Sequence, residues 1–209
     1  TVTLADGPAA AAAAFPAVSE TALTAAWTSE GNPAGTLYEA VVSTASPLVA
    51  THGGNVSVST RPLGATTADF AGLAVNTTYF LFARAIGHDN TPTAYSALGA
   101  TSTLARSPAP EADPFSAVGE TGLTAAWSAN GNPPGTLYLA ALSTATPFVS
   151  TDAGVLISST SPAGAPSAGF SGLTPDTAYH LFASARSRFG AATAFAALGS
   201  IVTRPTPPA

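Results

Sequence analysis

The sequence contains no cysteine and very little charge. Without cysteine it has neither a disulfide framework nor a thiolate metal site. Only 8% of the 209 residues are Asp, Glu, Lys or Arg, against about 25% in an average soluble domain. All six basic residues are arginine, and lysine and glutamine are absent. A surface built mainly from Ser, Thr, Ala, Gly and Pro repels other copies weakly, so the composition favours association.

Three explanations of the low charge stay open. Neighbouring molecules in an assembly cover the surface, attached sugars cover it, or the composition reflects a GC-rich genome. The net charge of -5, with no basic cluster, argues against nucleic acid and anionic membranes as partners. No apolar run approaches the roughly 20 residues of a membrane span. The chain is therefore expected to bind no nucleic acid and to have no membrane span.

The chain repeats itself with a period of 100 residues. Residues 23–27 (LTAAW) recur as residues 123–127. Between residues 15–103 and 115–203, 46 of 89 positions are identical without a gap. Chance does not produce this agreement, so the chain contains a duplicated module.

The frame of the repeat predicts the domain boundaries. The expected division is residues 1–8 as the end of a preceding repeat, 9–103 as module 1, 104–114 as a proline-rich linker, 115–203 as module 2, and 204–209 as a further linker. The prolines make the first linker extended and semi-rigid. This frame predicts that the 209 residues are a window on a longer array. The alternative is that the segment Thr1–Ala5 docks on the sheet edge of a neighbouring subunit.

Short alternation of apolar and polar residues, interrupted by Gly, Pro, Asn and Asp, runs through each module. It predicts strands near residues 15–19, 21–28, 36–43, 47–51, 55–59, 66–71, 77–86 and 93–103, repeated 100 residues later. No segment shows a sustained helical period. The prediction is an all-β chain of two tandem antiparallel seven-stranded immunoglobulin-like β-sandwiches.

One string in each module leads into a late strand. Module 2 has Leu173–Tyr179 (LTPDTAY), and module 1 has 73–79 (LAVNTTY), which lacks the proline. This string resembles the fibronectin type III signature, and the resemblance covers nearly the whole chain. It implies a tyrosine corner, in which a Tyr hydroxyl bonds upstream backbone while its ring packs inside. The residues expected to anchor the cores are Trp27, Trp127, Tyr79 and Tyr179.

The sequence offers no catalytic, cofactor-binding or metal-binding constellation. Three histidines, His52, His88 and His180, do not repeat between the modules and lack metal-ligand spacing. Of the carboxylates, only Glu20 and Glu120 occupy matching positions, one in each module, so they cannot form an acid pair. No nucleophile elbow precedes a helix. The chain is predicted not to be an enzyme and to need no cofactor or metal.

Two further features have more than one interpretation. The string Gly-Asn-Pro-x-Gly-Thr lies between the second and third long strands of both modules, where a tight turn is favoured over a shared contact loop. Two N-glycosylation sequons begin at Asn55 and Asn76, and module 2 lacks both. Asn55 and Asn76 are therefore candidate sites for carbohydrate, and the stretch Ser57–Thr67 is a candidate for O-linked sugars.

These features predict a non-enzymatic structural repeat unit of an extracellular filament, sheath or surface fibre. It would assemble with identical subunits or neighbouring repeats through packing between modules. An alternative is a pair of spacer modules in a large secreted enzyme. Another is an adhesin, in which the loops Gly87–Thr91 and Ser187–Ala191 engage a partner.

Overall fold

A computed structural model describes residues 4–59, 64–151, 154–159 and 165–208. All the elements among these residues are β-strands, which confirms the all-β prediction. The chain divides into two compact units, Thr1–Leu104 and Ala105–Ala209. Each unit corresponds to one copy of the 100-residue repeat.

Unit 1 consists of two antiparallel sheets. Its strands are β1 (Ala9–Ala10), β2 (Ala17–Val18), β3 (Ala22–Thr28), β4 (Leu37–Ser43), β5 (Val56–Ser59), β6 (Thr67–Ala71), β7 (Thr78–Ile86) and β8 (Ser96–Ser102). In the first sheet, β3 pairs with β1, β2 and β6. The second sheet has the order β5-β4-β7-β8.

Unit 2 repeats this arrangement. Its strands are β9 (Phe115–Ser116), β10 (Gly122–Ala126), β11 (Leu137–Ser143), β12 (Leu156–Ser159), β13 (Ser167–Ser171), β14 (Ala178–Arg186) and β15 (Ala196–Val202). The first sheet has the order β13-β10-β9 and the second the order β12-β11-β14-β15. The described strands number eight in unit 1 and seven in unit 2, and several are only two residues long.

The core of each unit lies between its two sheets because alternate residues of each strand face inward. In β3, Leu23, Ala25 and Trp27 are buried while their neighbours are partly exposed. The buried cluster of unit 1 has fourteen members, and all recur in unit 2 with one change, Val42 to Leu142. The duplication has therefore kept the core almost unaltered.

The last strand of each unit contains a β-bulge. The register of β7 and β8 shifts after Leu81, which pairs with Gly99, so that Leu98 is the extra residue. Gly99 and Gly199 have φ of 130° and 139°, in a region that residues with a side chain rarely adopt. A side chain at Gly199 would also lie 3.2 Å from Pro114. The backbone conformation, which both residues share, explains why the glycine occurs in both repeats.

The predicted strands at 47–51 and 147–151 are wrong. Both segments are bends and turns. Each begins with a proline, which has no N–H to donate to a ladder. The following residue, Leu48 or Phe148, instead lies on the outer face of the second sheet.

The segment 104–114 also differs from the expected linker. Ala105 is 4% exposed and belongs to the core of unit 2. Ala109 forms two backbone hydrogen bonds with Ser128, of 2.8 and 3.2 Å. The prolines are compatible with this because the segment lies at a sheet edge, where a missing N–H costs little. Residues 105–114 are therefore the first part of unit 2.

The start of unit 1 follows the same pattern. Ala5, expected at the end of a preceding repeat or docked on a neighbour, packs against the core of unit 1. Residues 1–3 lie outside the described residues. At the other end, Arg204 is bonded within unit 2 through its N–H and its carbonyl, and residues 205–208 are exposed.

Candidate functional site

The two tryptophans lie in the centre of the cores. Trp27 and Trp127 are 3% and 1% exposed. Their ring centroids are 5.9 and 5.8 Å from those of Tyr38 and Tyr138. Neither indole N–H has a hydrogen-bond partner among the described residues. Both rings therefore contribute through packing rather than through a polar contact.

Tyr79 and Tyr179 have the geometry of a tyrosine corner. The backbone N–H of Ala74 donates to the Tyr79 hydroxyl at 2.9 Å, and that of Thr174 donates to the Tyr179 hydroxyl at 3.0 Å. Both rings are buried. The hydroxyl thus fixes the chain five residues upstream, at the turn that leads into β7 or β14.

Asn76 has a structural role in this turn. It is 1% exposed with φ of 45°, and its N–H donates to the Leu104 carbonyl. In unit 2, Asp176 takes the same backbone conformation and bonds the Arg204 carbonyl. Asn and Asp tolerate this left-handed conformation better than most residues. A buried amide is not accessible to a sugar, so we expect no glycan at Asn76 in the folded protein.

Asn55, the other sequon, closes a loop. Its side-chain N–H groups donate to the carbonyls of Val49 at 2.8 Å and Ala50 at 3.4 Å. An attached glycan would replace one hydrogen of the Nδ2 group that the loop carbonyls already hold. Carbohydrate on Asn55 therefore competes with the folded geometry. The candidate stretch for O-linked sugars, Ser57–Thr67, includes residues 60–63, which lie outside the described residues.

The asparagine of the Gly-Asn-Pro-x-Gly-Thr loop has a structural role that the sequence pattern did not predict. Asn32 accepts from the Asp6 N–H and donates to the Asp6 carbonyl, both at 2.8 Å. Asn132 makes the same pair of bonds with Arg106, also at 2.8 Å. The loop is thus a contact loop within its own unit, and it holds the segment with which that unit begins.

The loops proposed for an adhesin share one backbone turn but differ in chemistry. Gly87 donates to the Thr91 carbonyl, and Ser187 donates in the same way to Ala191. The tip of the first loop carries Asp89, whose carboxylate accepts the Thr91 N–H at 3.0 Å. That bond lowers the pKa of Asp89. The matching residue of the second loop is Phe189, which is 58% exposed.

Among the residues that the structure describes, no group of three or more His, Asp or Glu side chains is placed to hold a metal ion. The His52 ring nitrogen Nε2 lies 2.7 Å from the Thr44 hydroxyl, a contact within one loop. The described segments also include no helix long and apolar enough to cross a membrane.

The outer face of the second sheet of unit 1 carries a polar cluster. Two nitrogens of the Arg84 guanidinium, Nε and Nη2, contact the same Glu39 oxygen, Oε2, with Nε 2.6 Å away. It also lies 4.6 Å from the centre of the Tyr95 ring, whose hydroxyl donates to Glu39 at 3.3 Å. Burial and the Glu39 charge raise the pKa of Tyr95.

The same face of unit 2 is apolar. Here Phe148 packs against Phe182 and Phe195, with ring centroids 4.9 and 4.6 Å apart. These rings, with neighbouring residues of the 146–150 loop, line an open groove of about 680 Å³. We call this surface the Phe face and define it by Leu139, Phe148, Ile157, Phe182 and Phe195.

No protein-family model and no curated protein matches the sequence. Among solved structures, a segment of two fibronectin type III domains from chicken tenascin is similar, with 16% identity over 95% of this chain and 100% of that chain and a TM-score of 0.55. The FN1–FN3 domains of chicken CNTN1 match at 14% identity over 97% of this chain and 67% of that one, with a TM-score of 0.37. The tenascin match and the two-sheet topology confirm that the chain has the fold of a tandem pair of fibronectin type III domains.

Proposed function

We propose that this chain is a non-enzymatic structural repeat unit of an extracellular filament, sheath or surface fibre. The proposal includes the location outside the cell and the assembly of repeats through contacts between modules. It goes beyond the fold, which serves many functions.

One observation carries the proposal: the two units adjoin in sequence without a linker. Leu104 is bonded within unit 1, where its N–H donates to Ser19 and its carbonyl accepts from Asn76. The next residue, Ala105, is already in the core of unit 2. The 100-residue period is therefore the length of one folded module. A module that begins where its predecessor ends is suited to serial repetition.

The side-chain chemistry supports the same proposal. Asn32 and Asn132 hold the first segment of each unit by identical bonds, so each copy carries its own means of fixing its start. The scarcity of charge lowers the repulsion between copies at close range.

Electron microscopy of the native material tests the proposal. We expect filaments or a layer with a regular repeat along its length, and labelling with an antibody against this chain. Sedimentation of the purified chain provides the second measurement, with association expected to increase with concentration. A strictly monomeric chain and native material without ordered assemblies would contradict the proposal. A catalytic domain in the same polypeptide would favour the spacer role instead.

A further inference from the structure

The outer face of the second sheet differs in sequence between the two units, whereas the cores are almost identical. Thirteen of the fourteen buried positions in the core cluster are identical between the units. On the outer face, the residues Glu39, Ser57, Arg84 and Tyr95 of unit 1 are replaced by Leu139, Ile157, Ser184 and Phe195 of unit 2. All three members of the polar cluster are therefore lost together.

Ionisable side chains lie in the middle of the face in unit 1 and toward its two ends in unit 2. In unit 1 the Glu39–Arg84 pair occupies the middle, and Phe80 and Ile86 lie toward the two ends of β7. In unit 2 the positions of that pair hold the uncharged residues Leu139 and Ser184, and the positions of Phe80 and Ile86 hold histidine and arginine, His180 and Arg186. An apolar centre with a polar rim is the usual anatomy of a protein–protein interface.

The Phe face has both a recess and a ridge. Ile157, on the edge strand β12, is 54% exposed, and Val149 is 45% exposed. Ile157 pairs with Ala141, which pairs with Phe182, so the three lie in one row across the sheet. With strands about 4.8 Å apart, Ile157 is about 10 Å from the floor of the Phe groove. One surface thus presents a projecting side chain and, beside it, a groove.

The distribution of charge favours contact between two copies of unit 2. Unit 1 has six carboxylates and two arginines, a net charge of -4, whereas unit 2 has five carboxylates and four arginines, a net charge of -1. Two copies of unit 1 repel each other, and two copies of unit 2 do so very little. The Phe face is therefore suited to contact with another uncharged, apolar surface. The Phe face of a second copy is such a surface.

We propose that the Phe face is a self-contact, through which two copies of this chain meet about a twofold axis with Ile157 of each copy directed at the groove of the other. Such an isologous contact needs a self-complementary surface. The inference takes from the proposed function only that the partner is another copy of the chain. If the chain is part of a longer array of modules, this contact would join two arrays side by side.

The size of the face predicts a weak contact. The four strands have four, seven, nine and seven residues. With strands about 4.8 Å apart they cover about 430 Å² in projection, or about 860 Å² for two copies. This lies within the range of weak or transient interfaces. Repetition along an array would compensate, because many weak contacts that form together hold far more tightly than one.

The test exchanges the face between units. The variant L139E/S184R/F195Y places the polar cluster of unit 1 on unit 2, where the same backbone positions are paired in the same register. We expect its dimer dissociation constant, measured by sedimentation equilibrium up to about 1 mM chain, to rise at least about tenfold, since an ion pair buried against an apolar surface is left poorly solvated. The matched control E39L/R84S/Y95F on unit 1 is expected to leave the contact of unit 2 in place. I157S gives unit 2 the serine that unit 1 has at Ser57, and it tests the contribution of the projecting Ile157 side chain alone.

The outcomes separate this inference from the proposed function. Circular dichroism and hydrogen exchange establish that each variant is folded, and I157S provides the test if the triple variant is not. A wild-type chain that is monomeric throughout overturns the inference and leaves the face to a partner of other chemistry, such as an apolar peptide or a polysaccharide. Dimerisation unchanged in both L139E/S184R/F195Y and I157S also overturns it. A dimer that depends on the Phe face, with no ordered native assembly, supports the inference while the filament proposal fails.

Discussion

Asn132 and Arg106 are joined by two hydrogen bonds, both 2.8 Å long, in which one side-chain amide pairs with the N–H and the carbonyl of a single backbone residue. The amide thus replaces a strand partner for a segment that has few backbone bonds of its own. Asn132 is 7% exposed, so water does not readily replace these bonds. The pair fixes the start of unit 2 one residue after its first core residue, Ala105.

The first prediction concerns this pair. Asn132→Ala should lower the free energy of unfolding of unit 2 by about 1–3 kcal/mol, since the mutation removes both bonds to the Arg106 backbone at a poorly exposed site. Asn132→Asp keeps the acceptor for the Arg106 N–H but loses the donor, and should also destabilise the unit. Hydrogen exchange measured by mass spectrometry reports the two units separately. Asn32→Ala is the matched control, expected to act on unit 1. Equal protection of unit 2 in wild type and Asn132→Ala would show that the pair contributes nothing.

The second prediction concerns the core indoles. Trp127→Ala should cost about 3–5 kcal/mol, a large part of the stability of a domain of this size. Trp127→Phe should cost clearly less, because the indole N–H has no partner to lose among the described residues. Denaturant unfolding of the two variants, followed by circular dichroism, checks this order. Equal destabilisation by Phe and Ala would point to a polar role for the indole N–H.

The sequence predicted those parts of the fold that depend on local pattern. Alternation placed most of the long strands correctly, and the isolated Trp27 and Trp127 marked the centres of the cores. The expectation of a linker at residues 104–114 rested on the proline content of the segment, and proline content did not indicate the observed structure. A small residue in the core, a pair of backbone bonds at Ala109 and the two bonds from Asn132 to Arg106 hold this segment, and its proline content reveals none of them.

The candidate surfaces were harder to predict for a related reason. Glu39, Arg84 and Tyr95 are far apart in sequence and meet only because β4 and β7 pair in one particular register. Comparison of the two repeats contained a usable signal, since all three members change together in unit 2. For Asn32 the signal was its recurrence as Asn132, but a turn explained that recurrence equally well.

The third prediction concerns Asn76. Expression in a host that glycosylates Asn-X-Ser/Thr sites should give no glycan at Asn76 in folded protein, because its side chain is buried. Asn76→Asp keeps a residue that tolerates the left-handed conformation, as Asp176 does at the matching position, but it should destabilise unit 1, because Asn76 is buried whereas Asp176 is exposed and a buried carboxylate is costly. Asn76→Ala should cost about 1–2 kcal/mol from the backbone conformation alone. Intact-mass measurement tests the first statement and thermal unfolding tests the other two, and a glycan at Asn76 on a folded chain would contradict the first.

The fourth prediction concerns pH and Tyr95. Burial, followed by the nearby Glu39 charge, raises the pKa of Tyr95 above its usual value near 10. The folded state therefore holds this proton more tightly than the unfolded chain does. The resulting stabilisation of unit 1 is fully present below about pH 10 and is lost as the pH rises through the pKa of the folded state.

A spectrophotometric titration at alkaline pH tests this directly. The difference between wild type and Tyr95→Phe isolates one phenol, and its midpoint should lie above 10. Phe195 occupies this position in unit 2, so the variant is compatible with the fold. Glu39→Gln should shift the midpoint down, since it removes a charge that raises the pKa and leaves Arg84, whose charge lowers it. A midpoint that Glu39→Gln leaves unchanged would mean that the Glu39 charge does not act on Tyr95 in solution, and that burial of the ring alone sets its pKa.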